Sequence, residues 1–252
     1  MNVKEKIDKL RKVMNEKDLD AYIIPSNDPH ISEYVPERWT SRAWISGFTG
    51  SAGTVVITQN DAGLWTDSRY FIQAADELKG TPVELHKAGN PGVDDYPDWL
   101  NKNMPEKAKV GIDGNVLPVG LMKSLESKFE LKQIEIVKDH DLIDDVWEDR
   151  PDIPLNELFI QPVQFAGKSR IEKIAEIRKE LKEKLADVHI ICTLDDIAWI
   201  FNIRGNDVDF NPVVVSYAMI SGDDAVLYIK DGKVPDNARK ELENEGIKIK
   251  DY

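Results

Sequence analysis

The chain has 252 residues, of which 41% are hydrophobic and 31% are charged, a balance typical of a globular protein. Its formal charge of −13 argues against general binding of nucleic acids and of anionic membrane surfaces, because both need clustered lysines and arginines. The single cysteine, Cys192, excludes an intrachain disulfide and a cysteine-based zinc cluster, and it favours a cytoplasmic location. No two of the four histidines are spaced i, i+4, so a self-contained histidine-rich metal site is not expected.

The first half of the chain alternates helices with short strands. Apolar residues at spacings of three and four from Val3 to Met14 predict an amphipathic helix that ends near Lys17. Apolar runs at 54–58 and 64–66, on either side of the turn 60–63, predict the two strands of a β-hairpin. The other predicted elements are strands at 18–24, 83–86, 109–112 and 133–137 and helices at 70–79 and 117–129. Together they predict an α/β or α+β domain at residues 1–150.

A proline-rich stretch follows this domain. It contains Pro151, Pro154 and Pro162 and shows no helical periodicity, which predicts a linker at residues 151–168. A second domain is expected at residues 169–252, opening with a helix whose apolar face runs from Ile171 to Leu185. Strands are predicted at 188–193, 212–220, 225–230 and 247–250, with a short helix at 195–202 and another helix before the last strand.

The two halves resemble each other residue by residue. The pattern of residues 7–24 recurs at 174–191 with an offset of 167, and Ala43-Trp44-Ile45 recurs at 198–200 with an offset of 155. These constant offsets favour a duplicated domain over the general likeness of any two helix–strand segments. After its hairpin the second copy has only one helix and one strand, whereas the first has two helices and three strands. We therefore expect the second copy to be truncated.

Two segments of the first half are candidates for function. The glycine-rich segment 47–54 precedes a strand and lacks the lysine of a phosphate-binding loop, so a tight turn with close backbone packing is the better interpretation. In Trp65–Phe71, Thr66 or Asp67 is expected to cap the following helix, or Asp67 to pair with Arg69. Alternatively, Arg69 points outwards and binds a carboxylate or a carbonyl group of a ligand with its planar fork of donors.

Two further clusters contain acidic residues. Asp28, His30 and Glu33 lie on one loop, but they offer too few ligands for a metal site, and neither nearby serine shows signs of activation as a nucleophile. Hydrogen bonding within the loop is the simpler interpretation, and a ligand-facing role is the alternative. Asp195 and Asp196 open a predicted helix, where a pair of carboxylates usually serves capping and the helix dipole. A role for Asp196 as a catalytic base is the alternative there.

Several segments together resemble one enzyme family. PSNDPHISEYV, GFTGSAGTVVIT, WTDSRYFIQAA, VWEDRP and LDDIAWIFNIRGNDVDFNPVVVSYA occur in the order found in the N-terminal part of three-domain Xaa-Pro aminopeptidases (aminopeptidase P), relatives of creatinase and prolidase. The resemblance implies two creatinase N-terminal-like domains, each a mixed β-sheet flanked by helices. It also implies a C-terminal catalytic domain of the pita-bread fold. That domain would hold two divalent metals, commonly manganese, on two Asp, one His and two Glu, and would cleave the peptide bond before a penultimate proline.

The resemblance also implies what this chain contributes. No catalytic residue and no metal ligand can be assigned within it, so we expect the chain alone to be inactive. In the family the N-terminal domains help to form a homodimer and cover the active site. By this resemblance Arg69 reaches the substrate pocket of the neighbouring subunit, and Asp28 and His30 line a pocket, with peptides carrying a penultimate proline as substrates. The alternatives are a stand-alone peptide- or protein-binding module and a hydrolase that uses Asp28, His30 and a serine.

Overall fold

A computed structural model describes residues 1–252, and in it the chain divides into two units. The first unit comprises Met1–Pro29 and Glu37–Pro151, and the second comprises His30–Pro36 and Asp152–Tyr252. Residues 152–168, predicted as a linker, thus belong to the second unit, as do residues 30–36 of the predicted first domain. For the linker the reason is local packing, because Leu158 is buried in the core of the second unit.

The first unit is built on a mixed six-stranded β-sheet. Its strands are β1 (Ala21–Pro25), β2 (Thr54–Thr58), β3 (Ala62–Thr66), β4 (Glu84–Lys87), β5 (Lys109–Ile112) and β6 (Glu135–Val137). They are arranged in the order β4-β3-β2-β1-β5-β6. Strand β2 is antiparallel to β1 and β3, whereas β1 and β5, β5 and β6, and β3 and β4 are parallel pairs.

Helices cover both faces of this sheet. They are α1 (Val3–Glu16), α2 (Ser41–Ser46), α3 (Phe71–Glu77), α4 (Tyr96–Asn103), α5 (Val119–Phe129) and α6 (Leu142–Val146). Helices α1, α2, α3 and α6 form one core with Tyr22 and Ile24 of β1. Helices α4 and α5 form a second core with Ala21 and Ile23, since successive residues of a strand point to opposite faces.

The second unit repeats part of this arrangement. Its strands are β7 (Phe159–Ile160), β8 (Val188–Ile191), β9 (Ile203–Arg204), β10 (Ser216–Ser221), β11 (Ala225–Ile229) and β12 (Ile247–Lys250), and its helices are α7 (Val163–Ala166), α8 (Arg170–Glu183), α9 (Leu194–Ile200) and α10 (Asp236–Asn244). Four strands form a sheet in the order β12-β11-β10-β8, and β7 pairs with β9. The pairs β8–β10 and β10–β11 are antiparallel and β11–β12 is parallel. Pairs β1–β2, β2–β3 and β3–β4 have the same directions, so the second sheet repeats strands β1 to β4.

The beginnings of the two copies also agree in detail. Helix α1 starts with a capping box formed by Asn2 and Glu5, and α8 starts with one formed by Ser169 and Glu172, 167 positions later. In each box the first residue accepts a backbone N–H from the second, which in turn accepts the N–H of the first. The predicted fold, two related α/β domains with mixed sheets flanked by helices, is confirmed.

Some elements differ from the prediction. Helix α4 was not predicted, although Asp95 caps it and Pro97 lies in its first turn, where a missing N–H costs little. The strand predicted at 212–220 begins only at Ser216, because the N–H of Val215 donates to the carboxylate of Asp207 instead of to a neighbouring strand. None of the helices is both long and apolar enough to span a membrane.

Candidate functional site

Three loops of the first unit emerge from one end of its sheet. Pro25 at the end of β1 lies opposite Thr54 at the start of β2, and Thr54 lies opposite Trp65 near the end of β3. The loop after β1, the glycine-rich loop before β2 (residues 47–53) and the turn after β3 therefore share this end of the sheet. The first of these loops carries Asp28, and the turn carries Arg69.

Arg42 holds the glycine-rich loop in place. Its buried guanidinium donates to the carbonyl oxygen of Phe48 at 2.8 Å, to the carbonyl oxygen of Gly50, and to the hydroxyl of Ser26 at 2.6 Å. Ser26 in turn donates to the carbonyl oxygen of Gly53 at 2.7 Å. Burial lowers the pKa of Arg42 to about 10, so the group stays charged at neutral pH. This geometry agrees with the interpretation of the loop as a tight turn rather than a phosphate site.

The glycine-rich loop packs against the residue that follows Arg69. The rings of Phe48 and Tyr70 meet edge to face, with centroids 5.9 Å apart. A Cβ on Gly50 would lie 2.7 Å from the Tyr70 ring and closer still to Phe48, so only glycine fits between them. The hydroxyls of Ser51 and Tyr70 are 2.6 Å apart. The loop and the turn after β3 therefore form one packed structure, which sequence reasoning did not predict.

Arg69 lies on this structure with its side chain about two-thirds exposed, at 67%. Asp67 caps the short turn Ser68–Tyr70, because its carboxylate accepts the backbone N–H of Arg69 at 3.0 Å. The same carboxylate also accepts hydrogen bonds from the side chain of Arg69, from Nε at 2.9 Å and from Nη2 at 2.8 Å. These hydrogen bonds lower the pKa of Asp67 to about 2. The expected cap and ion pair are thus both present. The paired hydrogen bonds to Asp67 fix the plane of the Arg69 guanidinium. The guanidinium also lies 5.2 Å from the centre of the Tyr70 ring.

The structure assigns Asp28 and His30 to different units. Asp28 is completely buried in the first unit, whereas His30 belongs to the second and is also buried. Nδ1 of His30 lies 2.8 Å from the carbonyl oxygen of Cys192, and Nε2 lies 3.1 Å from the hydroxyl of Tyr252. Because a carbonyl oxygen only accepts, Nδ1 carries the hydrogen in this arrangement. The ring also packs against Tyr217, with centroids 4.4 Å apart. These two hydrogen bonds of His30 lead out of the loop, to residues 162 and 222 positions away, whereas the simpler interpretation expected hydrogen bonding within the loop.

A buried polar network that sequence reasoning missed lies near the ends of β1 and β5. Arg150 donates to Asp141, and Tyr22 donates to the carbonyl oxygen of His140 at 2.8 Å. With Asp113 these side chains line a cavity of about 20 Å³, enough for one water molecule. Burial raises the pKa of Asp113. The network joins residues far apart in sequence, so only the parallel pairing of β1 with β5 could have revealed it.

The acidic pair at the start of α9 has a structural role. Asp195 and Asp196 lie in the first turn of the helix, and Asp196 accepts a hydrogen bond from the hydroxyl of Thr193. In the chain as a whole, no three His, Cys, Asp or Glu side chains are placed so that they could hold a metal ion. The residues present therefore do not fit the two-metal centre that the resemblance implies.

Comparison with known proteins shows the family to which the chain belongs. Residues 6–146 match a family model described as the creatinase/prolidase N-terminal domain, and residues 149–252 match a second model with the same description. The chain belongs to the creatinase/prolidase N-terminal domain family. The family predicted from the WTDSRYF and LDDIAW segments is confirmed, and each half of the chain is one such domain.

The curated relatives that match nearly all of this chain are longer than the chain. A probable Xaa-Pro aminopeptidase P from Laccaria bicolor is 39% identical over 246 residues, which cover 97% of this chain and 38% of the relative. One from Talaromyces stipitatus is 41% identical over 254 residues, covering 100% of this chain and 38% of the relative. The crystal structure of X-prolyl aminopeptidase from Caenorhabditis elegans, described as a cytosolic enzyme with a di-nuclear active site, matches with a TM-score of 0.94 at 30% identity. It covers 100% of this chain and 43% of that chain. The chain thus spans about two fifths of the length of these relatives.

Proposed function

We propose that the chain is the non-catalytic N-terminal region of an Xaa-Pro aminopeptidase, which removes the N-terminal residue before a penultimate proline. One observation carries the proposal. Both creatinase/prolidase N-terminal domains match such enzymes together, over 97% of this chain in the Laccaria bicolor relative. The fold match to the Caenorhabditis elegans enzyme, at a TM-score of 0.94 over the whole chain, supports it.

The proposed enzyme carries its chemistry in a part that residues 1–252 do not supply. The Caenorhabditis elegans relative is described as having a di-nuclear active site, and no group of ligands in this chain fits one. We therefore assign the two metals, proposed to be manganese, to a C-terminal pita-bread domain. The same relative is described as cytosolic, which supports a cytoplasmic location for this protein. The chain alone is then inactive towards Xaa-Pro peptides.

Arg69 is the proposed contact with substrate, in the pocket of the neighbouring subunit of a homodimer. Its guanidinium is charged and exposed, and Asp67 and Tyr70 fix its orientation. A planar fork held in this way suits a peptide carboxylate or carbonyl oxygen. Asp28 and His30 are proposed as further pocket residues. Both side chains are buried, and His30 holds the carbonyl oxygen of Cys192.

Kinetics of the full-length enzyme test this assignment. The variant Arg69→Ala should lower kcat/KM for an Xaa-Pro peptide by about tenfold or more, because one lost charged hydrogen bond costs about 1.5–3 kcal/mol. The control is Arg239→Ala, since Arg239 lies on α10 and pairs only weakly with Glu243 at 3.7 Å. Equal kcat/KM for both variants and the parent would exclude the proposed contact.

The proposal that the chain is non-catalytic is tested on the 252-residue chain itself. Assayed with Mn²⁺ and an Xaa-Pro peptide, it should show no turnover, and turnover would overturn the non-catalytic assignment. Sedimentation should show the full-length enzyme as a dimer, and a monomeric active enzyme would remove the proposed contact from a neighbouring subunit. The binding-module alternative would be favoured if the chain bound peptides tightly and the full-length protein showed no peptidase activity.

A further inference from the structure

A groove lies beside the last strand of the sheet in the first unit. Strand β6 pairs only with β5, so its other side is an open edge of the sheet. Helix α5 and the turn that follows it line the groove together with β6. Its volume is about 490 Å³, within the range of about 300–1,000 Å³ that is typical of ligand sites.

The open edge of β6 offers backbone groups for hydrogen bonding. The N–H of Glu135 donates to the carbonyl oxygen of Ala108 at 2.8 Å, on the side of β5. Successive residues of a strand direct these groups to opposite sides, so the N–H and the carbonyl group of Ile136 point to the open edge. Such an edge can take up another extended chain through main-chain hydrogen bonds.

Three apolar side chains line the groove. Ile134 is buried, and Met122 and Ile136 are partly buried. Because Ile136 also supplies the backbone groups of the edge, the apolar lining lies directly beside the place where an added strand would pair. A side chain of that strand could therefore remove apolar surface from water here.

Two carboxylates lie on the helix side of the groove. Glu126 and Glu130 line it, are exposed, and are four positions apart, so they lie on the same side of α5. Neither forms an ion pair with a lysine or arginine of the chain, whereas Lys128 on another side of α5 pairs with Asp98. Like charges at this spacing repel each other, so a cation bound next to them is favoured.

We propose that this groove binds an extended segment of a partner protein, in which an apolar residue has a lysine or arginine two positions before it and two positions after it. The segment adds to the edge of β6 through the backbone of Ile136. Residues two apart on a strand point to the same face. The apolar side chain therefore packs on Met122 and Ile136 while the basic side chains reach Glu126 and Glu130.

The charge of the groove argues against other occupants. A second copy of this chain that paired through its own β6 would bring two further glutamates to the same place, and each copy has a formal charge of −13. A nucleic acid would place phosphates against the carboxylates. A small cation alone would use neither the apolar lining nor the backbone groups of Ile136.

Two heptapeptides of identical composition test the proposal on the 252-residue chain. Both have acetylated and amidated ends. In Thr-Lys-Thr-Ile-Thr-Lys-Thr the lysines share one strand face with the isoleucine, and in Thr-Thr-Lys-Ile-Lys-Thr-Thr they lie on the opposite face.

NMR titration should give a Kd at least about tenfold lower for the first peptide, a difference of about 1.4 kcal/mol. The largest shifts should be those of the amides of Met122 and Ile136. Equal Kd values would overturn the proposal, because they would show only a general attraction to an acidic surface. Shifts confined to other parts of the chain, or no shifts at all, would overturn it too.

Charge reversal gives a second measurement. The double variant Glu126→Lys with Glu130→Lys should raise the Kd of the first peptide at least about tenfold. Lysines near the C-terminal end of α5 suit the helix dipole, so this variant should fold. The control is Glu16→Lys with Glu157→Lys, at two exposed glutamates outside the groove, which changes the net charge equally. An equal rise in Kd for both double variants would refute a specific contact with the groove.

Hydrogen exchange of the unaltered chain tests the backbone contact. With saturating first peptide, the amide proton of Ile136 should exchange at least about tenfold more slowly. The amide proton of Glu135, already bonded to the carbonyl oxygen of Ala108, should change little. Unchanged exchange of Ile136 would overturn the addition of a strand. None of these measurements involves hydrolysis of a peptide, so their outcome is independent of the proposed peptidase function.

Discussion

The ammonium group of Lys173 donates to the carbonyl oxygen of Trp199 at 2.7 Å and lies 4.2 Å from the centre of its ring. Lys6 and Trp44 in the first unit are related in the same way, at 2.7 Å and 4.6 Å. The lysines are 167 positions apart and the tryptophans 155, as in the sequence repeat. In each copy the lysine joins the first helix to the carbonyl end of the second, and burial lowers its pKa. The duplication thus preserves a specific polar contact as well as a fold.

Replacing Lys173 by methionine should destabilise the chain by about 1–3 kcal/mol. The variant leaves the carbonyl oxygen of Trp199 and the side-chain oxygen of Asn202 without their common donor in a buried place. The control is Lys179→Met, at a lysine 77% exposed that pairs only with Glu183. Urea denaturation of both variants measures the difference. Equal unfolding midpoints would show that the buried contact contributes no stability.

Breaking the ion pair of Lys233 with Asp207 should lower the free energy of unfolding more than the Lys173→Met substitution does. Both side chains are completely buried, so Lys233→Met leaves a carboxylate without its counter-ion, and we expect a loss of about 3–5 kcal/mol. Lys248→Met breaks an exposed pair with Asp224, which the solvent screens, so this variant should change the free energy of unfolding much less. Thermal and urea unfolding of both variants measure the difference. Losses of similar size for the two variants would contradict the dependence on burial.

The glycine-rich loop should not tolerate a side chain at Gly50. The variant Gly50→Ala forces the new Cβ into the rings of Phe48 and Tyr70, and we expect a loss of about 1–3 kcal/mol from this overpacking. At Gly120 in α5 no heavy atom lies within 4 Å of a new Cβ. Gly120→Ala should therefore keep or raise stability, by up to about 1 kcal/mol. A harmless Gly50→Ala would show that the loop packs more loosely than described.

The carboxylate of Asp67 should titrate at about pH 2. Hydrogen bonds from Arg69 stabilise its charged form, so the pKa should return towards 3.8 in the Arg69→Ala variant. Since the folded-state pKa is depressed, the stability from this pair is present above pH 3.8 and is lost as the pH falls through about 2. Carboxyl-detected NMR titration measures the pKa, with Arg178→Ala as a control that should not move it. An unchanged pKa in Arg69→Ala would refute the assignment of cause.

Regular elements could be predicted closely where local signals were strong. The predicted strands at 54–58 and 109–112 agree at both ends with β2 and β5, and the helix from Val3 agrees with α1 to within one residue. Helices α2 and α6 have only six and five residues, too few for apolar periodicity to show. Constant offsets between the halves predicted the shared fold before any pairing of strands was known.

The candidate site was predictable only in its local parts. Asp67 and Arg69 are two positions apart, so their pairing follows from the sequence. Arg42 gave no signal, because its three acceptors become neighbours only after β1 and β2 pair. The contact of His30 with Cys192 spans 162 positions, and no local pattern encodes it.

The membership of His30–Pro36 in the second unit has a practical consequence. The chain passes from one unit to the other after Pro29, after Pro36 and after Pro151, each time directly behind a proline. No single cut in the backbone therefore separates the units. A gene fragment that begins at Asp152 would omit His30 and its bond to the carbonyl oxygen of Cys192. Transplanting the second unit into another protein requires the heptapeptide 30–36 as a separate insert.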